Sequence, residues 1–137
     1  MNTLNGHALI ECVMTIPRVG VWVADVLVDA DEAIAGAVVL NVEGLELHGA
    51  VARGGVELAR WRGRIVGGAG GLASVLGPAP FADTTLATVL SETLRDAGEQ
   101  LSAAVGDLTA TVARWARAAA PAGHTVADVA RAAGYAW

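Results

Sequence analysis

The chain has 137 residues, nine basic and fourteen acidic, with a formal net charge of −5 and a mean hydropathy of +0.50. It is long enough to bury roughly 68–70% of its unfolded surface without a staple, and the single cysteine, Cys12, excludes an intrachain disulfide framework and any multi-cysteine zinc site. With 54% apolar residues it is no disordered tail; the absence of lysine excludes a lysine Schiff base and a Walker-type P-loop, and the acidic balance is wrong for a phosphate-neutralising groove.

The first residues, Met1 to His7, lack the basic-then-apolar pattern of a secretory signal. From Leu9 to about Val66 the pattern is short and extended. Asp25 and Asp29 share one side of the 21–29 segment, which leaves Trp22, Ala24, Val26 and Val28 on the opposite, buried side. Val38, Leu40 and Val42 alternate with Val39, Asn41 and Glu43, and Leu45, Leu47, Gly49 and Val51 alternate with Glu46, His48 and Ala50. Punctuation at Pro17 to Gly20, Gly36, Glu43-Gly44 and Gly54-Gly55 predicts a meander of five or six strands closing into a small barrel or sandwich. The residues from Asp31 to Ala37 read as a loop or a single turn.

A last strand is expected from Val56 to Val66. Period two places Arg60, Arg62 and Arg64 on one face, with Trp61 and Ile65 opposite. The arginine face is either a solvated outer surface or a ladder that meets acidic residues of a neighbouring subunit or lines a lumen, a role the planar guanidinium fork suits.

Residues 65–82 carry no charge, yet five glycines and two prolines argue against a lipid-spanning helix. Gly67, Gly68, Gly70 and Gly71 read as a backbone hinge in a Gly/Pro-rich connection. The G-x-G-x-x-A spacing over 68–73 has the outline of a dinucleotide fingerprint, but Pro78 and Pro80 interrupt any helix able to hold a pyrophosphate.

Helical spacing follows. Leu86, Val89, Leu90, Leu94 and Ala97 form one stripe, with Asp83 as the expected N-cap and Gly98 closing the helix. A second helix is expected from Thr125 to Gly134, with Asp128 completing a capping box. Between them Val105, Leu108, Val112 and Trp115 have helical spacing, while 109–115 also alternates. Tyr135-Ala136-Trp137 reads as the start of a strand, either cut from a longer chain or pairing with another chain's sheet edge.

These elements predict an α+β protein, a small antiparallel β-barrel or sandwich over 1–66, a connection over 67–82 and two or three helices over 83–137. No catalytic set emerges. His7, His48 and His124 lack metal-ligand spacing, Ser74, Ser91 and Ser102 sit in no nucleophile elbow, and the carboxylates at Glu43/Glu46 and Asp29/Asp31/Glu32 suit turn solvation. The expectation is therefore no catalytic residue, no cofactor and no metal. The tryptophans read as core or interface anchors, and the apolar excess points to cover by another chain.

The order of features carries a resemblance. Residues 19–26 (VGVWVADV), 47–51 (LHGAV), 62–72 (RGRIVGGAGGL), the helix 85–90 ending at Ala97-Gly98-Glu99, Trp115-Ala116-Arg117 and the closing 125–137 segment resemble the N-terminal part of bacteriophage tail baseplate hub proteins. That group is related to late control proteins and to type VI secretion spike proteins. The resemblance implies a virion structural protein in the tail baseplate, made in the host bacterial cytoplasm. It implies a homotrimer that joins the tail tube to the central spike and lines the channel. Partners would be further copies, the tail tube protein, the spike and other baseplate proteins, without specific nucleic-acid binding or stable membrane insertion. Arg60, Arg62, Arg64 and Trp137 are then the expected interface or lumen residues. Hub proteins of this kind continue past the position matched by Trp137 with a second barrel domain. Two other classes stay open: an adaptor that binds a protein through an exposed strand edge, and a small-ligand or nucleotide-binding protein using the glycine-rich loop.

Overall fold

The computed structural model describes residues 1–17, 20–100 and 108–134. They divide into two compact units, the first formed by Met1–Pro17 and Val21–Gly70, the second by Gly20 and the described residues from Gly71 onward.

The first unit is a closed barrel of six antiparallel strands: β1 (Thr3–Leu4), β2 (His7–Thr15), β3 (Val23–Val28), β4 (Ala37–Val42), β5 (Leu45–Glu57) and β6 (Arg60–Gly67). Its strand order is β1-β2-β3-β6-β5-β4, and β1 pairs with β4 to close it. It is not a simple meander, because β3 pairs with β6 rather than with β4. The expected inward residues line the core: Ala24, Val26 and Val28 from β3, Val38 and Leu40 from β4, and Ile65 from β6 are buried. Each methyl-rich face is removed from water at about 25 cal/mol per Å² of apolar surface, the main source of stability here.

The expected strand Val56 to Val66 is corrected. It is the end of β5, a two-residue turn at Leu58-Ala59, and β6. Both turn residues lie at positive φ (51° and 59°), as do Asn5-Gly6 and Glu43-Gly44 at the other two tight hairpins. Positive φ at both centres matches the right-handed twist of the paired strands, and nothing in the composition of Leu-Ala announces it. Gly54-Gly55, expected as a turn, sits inside β5.

Tryptophan packing explains the strand glycines. Gly49↔Gly67 and Gly54↔Gly63 are cross-strand pairs of β5 and β6. A Cβ at Gly67 would lie 2.7 Å from Trp22 Nε1, and one at Gly49 2.9 Å from Trp22 Cη2. At Gly54 and Gly63 it would run into the Trp61 ring. Each indole thus lies over a glycine pair, in space that any side chain on those residues would fill.

The second unit contains β7 (Val75–Leu76), β8 (Ala79–Thr85), α1 (Leu86–Ala97), β9 (Thr111–Arg117), β10 (Ala120–Pro121) and α2 (Ala122–Ala132). β8 pairs antiparallel with β9, and β7 with β10. Strands thus occupy 79–85, where the sequence predicted a connection up to 82 and a helix start from 83, and 111–117, where it showed both helical and alternating spacing; in 111–117 the alternation prevails. Leu86, Val89, Leu90 and Leu94 of α1 bury with Leu108 and with Val126 and Val129 of α2, and Phe81, Val112 and Trp115 pack against this cluster.

The cap of α1 is corrected from Asp83 to Thr85, whose Oγ1 accepts the Thr88 N–H at 3.3 Å. Asp83 instead lies within β8 at positive φ (47°), between the pairs Ala82↔Arg114 and Thr84↔Val112, whose register runs on unchanged. Gly98 closes the helix in a left-handed conformation: its N–H donates to Arg95 O and the Glu99 N–H to Leu94 O, the paired bonds that satisfy a helix end. α2 begins at Ala122 rather than Thr125, and Thr125 is buried within it. Pro121, at φ −53°, occupies the N-cap, where its missing N–H costs nothing. Val105 and Trp137 lie outside the described residues.

Candidate functional site

The alternation of β6 sends Arg60, Arg62 and Arg64 to the outer face of the barrel, and β5 adds Arg53 beside Arg64. Two rows cross the four strands β2, β3, β6 and β5. One is Val13–Asp25–Arg64–Arg53 and the other is Glu11–Leu27–Arg62–Gly55. They line an open groove of about 680 Å³ on the barrel's outside.

The three expected arginines differ in state. Arg64 makes a bidentate pair with Asp25, Nε to Oδ1 at 2.8 Å and Nη2 to Oδ2 at 2.7 Å. The planar guanidinium fork matches the two carboxylate oxygens, so both bonds form in parallel. The Arg64 hydrogen bonds hold the Asp25 carboxyl below its usual range, and the Arg64 and Arg53 charges act in the same direction. Arg60 stands opposite Glu57, and Arg62 opposite Leu27 and Gly55. Among the described residues neither Arg60, Arg62 nor Arg53 has a side-chain hydrogen bond or ion pair.

The arm that carries these residues is unusual in charge. Residues 52–64 hold four of the nine arginines and one of the fourteen acidic residues. A chain that is acidic overall therefore presents one cationic hairpin.

The glycine segment divides by cause. Gly68 (φ 77°) and Gly70 (φ 86°) adopt left-handed conformations. Gly67 is a buried strand residue beneath Trp22, its N–H donating to Trp22 O at 2.9 Å. At Gly71 a Cβ would collide with the Ala97 carbonyl, and its N–H donates to Glu99 Oε1 at 2.8 Å. Gly71–Ala73 form a three-residue 3-10 turn, so the helix N-terminus that a dinucleotide fingerprint requires does not follow this segment.

The histidines are dispersed. His7 Nε2 lies 3.6 Å from Glu32 Oε1, His48 Nε2 lies 3.0 Å from Glu46 Oε1, and His124 is exposed on α2. Among the described residues no group of three or more His, Cys, Asp or Glu is arranged to hold a metal ion, and no helix is long and apolar enough to cross a membrane. Burial pushes the Cys12 thiol above its ordinary pKa, which lowers its thiolate fraction at neutral pH.

Sequence reasoning missed Arg117. It is buried in the second unit, where Nη1 donates to Asp96 Oδ2 at 3.0 Å and to Thr93 Oγ1 at 3.5 Å, and Nε donates to Gly77 O at 3.2 Å. It ties β9 to α1 and to the turn before β8. Its position on β9 gave a weak signal at most, since period two does not say which face of a short strand is covered. No protein-family model matches the chain, and comparison with curated proteins finds no match.

Proposed function

We propose that this protein is a non-catalytic structural component of a phage tail, a baseplate hub-like subunit that joins the tail tube to the central spike and borders the channel. The outer face of the barrel carries the reading: among the described residues Arg53, Arg60 and Arg62 make no side-chain hydrogen bond or ion pair there, and large apolar side chains on β2 and the β5–β6 hairpin are exposed. Arginine and apolar surface together suit burial against other subunits, because arginine sheds its hydration readily and pairs carboxylates by geometry. A small barrel followed by two helices is also compatible with the hub resemblance. The partners in this reading are further copies in a trimer, the tail tube protein and the spike, at the baseplate of the virion.

The free edge of β5 favours a second reading, an adaptor that accepts a strand from one protein partner without forming a ring.

Absolute mass by light scattering, with and without a tail tube protein, separates them. A particle near three times 13.8 kDa that co-elutes with tube protein is the expected result. A species that stays at 13.8 kDa and does not co-elute with tube protein overturns the hub reading.

A further inference from the structure

We propose that the barrel sheet continues from one copy of this chain to the next, the free edge of β5 in one copy pairing antiparallel with the free edge of β2 in a second. The inference rests on the assembly reading above and names its interface.

Both edges follow from the strand pairings. Among the described residues β5 pairs with β4 only over Leu45–Ala50, and from Ala52 to Glu57 its one strand neighbour is β6. β2 pairs with β1 only at His7 and Ala8, and from Ile10 to Thr15 its one strand neighbour among the described residues is β3. Residues 52–57 are all exposed, and on β2 Val13 is 60% exposed. An edge of this kind presents unpaired N–H and C=O groups to any incoming strand. The two-residue turn makes Glu57 and Arg60 the pair that exchanges both hydrogen bonds, so Gly54 and Val56 turn their N–H and C=O groups to the open side.

Strand direction selects the partner. Across β2, β3, β6 and β5 each neighbour is antiparallel, so β5 runs opposite to β2. Two copies side by side in the same orientation therefore bring β5 and β2 together as an antiparallel ladder. The contact joins unlike surfaces, so it repeats around a ring or along a filament.

Charge and space agree with that choice. With the copies at the same height, the cross-strand rows bring Arg53 opposite Val13 of the second copy and Gly55 opposite its Glu11. Arg53 and Glu11 are then diagonal neighbours within reach of long side chains. Pairing two β5 edges would set Arg53 near Arg53, and pairing two β2 edges would set Glu11 near Glu11; both repel. Gly55 also gains a reason. Its φ is not left-handed and a Cβ there would meet nothing within 4 Å, so no contact among the described residues calls for glycine. Glycine at such a place is compatible with the close approach of another backbone.

The test uses the full chain and its mass in solution, with far-UV circular dichroism to verify folding. Arg53→Glu and Glu11→Arg should each reduce the wild-type assembly to 13.8 kDa, and the double variant should restore it. Val56→Pro, which removes a donor from the open side of β5, should give the same loss. Glu11→Cys with Gly55→Cys in a Cys12→Ser background should give disulfide-linked dimers and larger species, absent from either single-cysteine control. A wild-type chain that stays at 13.8 kDa at every concentration overturns the inference, and co-elution with tube protein still tests the assembly reading. A wild-type assembly whose mass withstands both charge reversals and the proline also overturns it, and places self-association on another surface.

Discussion

Trp61 illustrates how one side chain dictates its neighbours. Its ring occupies the space where Gly54 and Gly63 would carry a Cβ, so alanine at either position must displace the indole from a buried site. Gly63→Ala should destabilise the barrel by about 1–3 kcal/mol, the usual range for overpacking, read as a lower midpoint in urea at unchanged slope. Arg117 has a comparable role in the second unit. Its side chain is 6% exposed, whereas Asp96 is 40% exposed and can regain water when the pair is broken. Arg117→Ala should therefore lose about 2–3 kcal/mol, below the range for two fully buried ions. Arg117→Lys should recover only part, because one ammonium cannot span the three acceptors that the fork reaches. Asp25 sets an acid dependence. Its folded pKa is lowered by Arg64, so the pair's contribution is present above the ordinary carboxylate pKa of about 3.9 and fades as pH falls through the lower folded value. Denaturation curves of wild type and Asp25→Asn should differ at pH 6 and converge toward pH 2.

The β5–β6 hairpin is the element in which local strain and exposure coincide. Leu58 and Ala59 occupy left-handed backbone that favours Asn and Gly, and Leu58 is 91% exposed. Replacing the pair by Asn-Gly should stabilise the isolated chain by about 1–2 kcal/mol, seen as a higher thermal midpoint. The strain is thus compatible with a tip selected for something other than the stability of its own fold. Helix α1 shows the opposite relation between sequence and structure. Its stripe, its Thr85 cap and its Gly98 terminus all act over a few residues, so the helix was readable apart from the identity of the cap.

At the scale of the molecule, the described residues form two units, each with its own buried cluster. If the cationic hairpin meets acidic surface on another copy, association should weaken with salt, since exposed charges are screened over about 8 Å at physiological ionic strength. The mass-averaged molecular weight should fall between 50 mM and 500 mM NaCl, whereas a purely apolar interface would hold or tighten. Much of the barrel was legible in the chain: period two named the buried face of β3, showed the alternation of β4 and placed three arginines on one side of β6. Alternation is a local property, and each residue's neighbours at i±2 state it. The strand order, the hairpin hidden in 56–66, the two free edges, the bidentate Arg64–Asp25 pair and the burial of Arg117 were not. The hairpin is local but was hidden because Leu58-Ala59 carries no turn composition; the others depend on which segments, about 20 to 45 residues apart, come to lie side by side. A glycine in a strand looks like a turn until the tryptophan above it is in place. Sequence by itself thus determined the periodicity and the apolar faces, which short-range geometry encodes. Only the tertiary structure decided the pairings and the surface left over, because these are set by long-range packing.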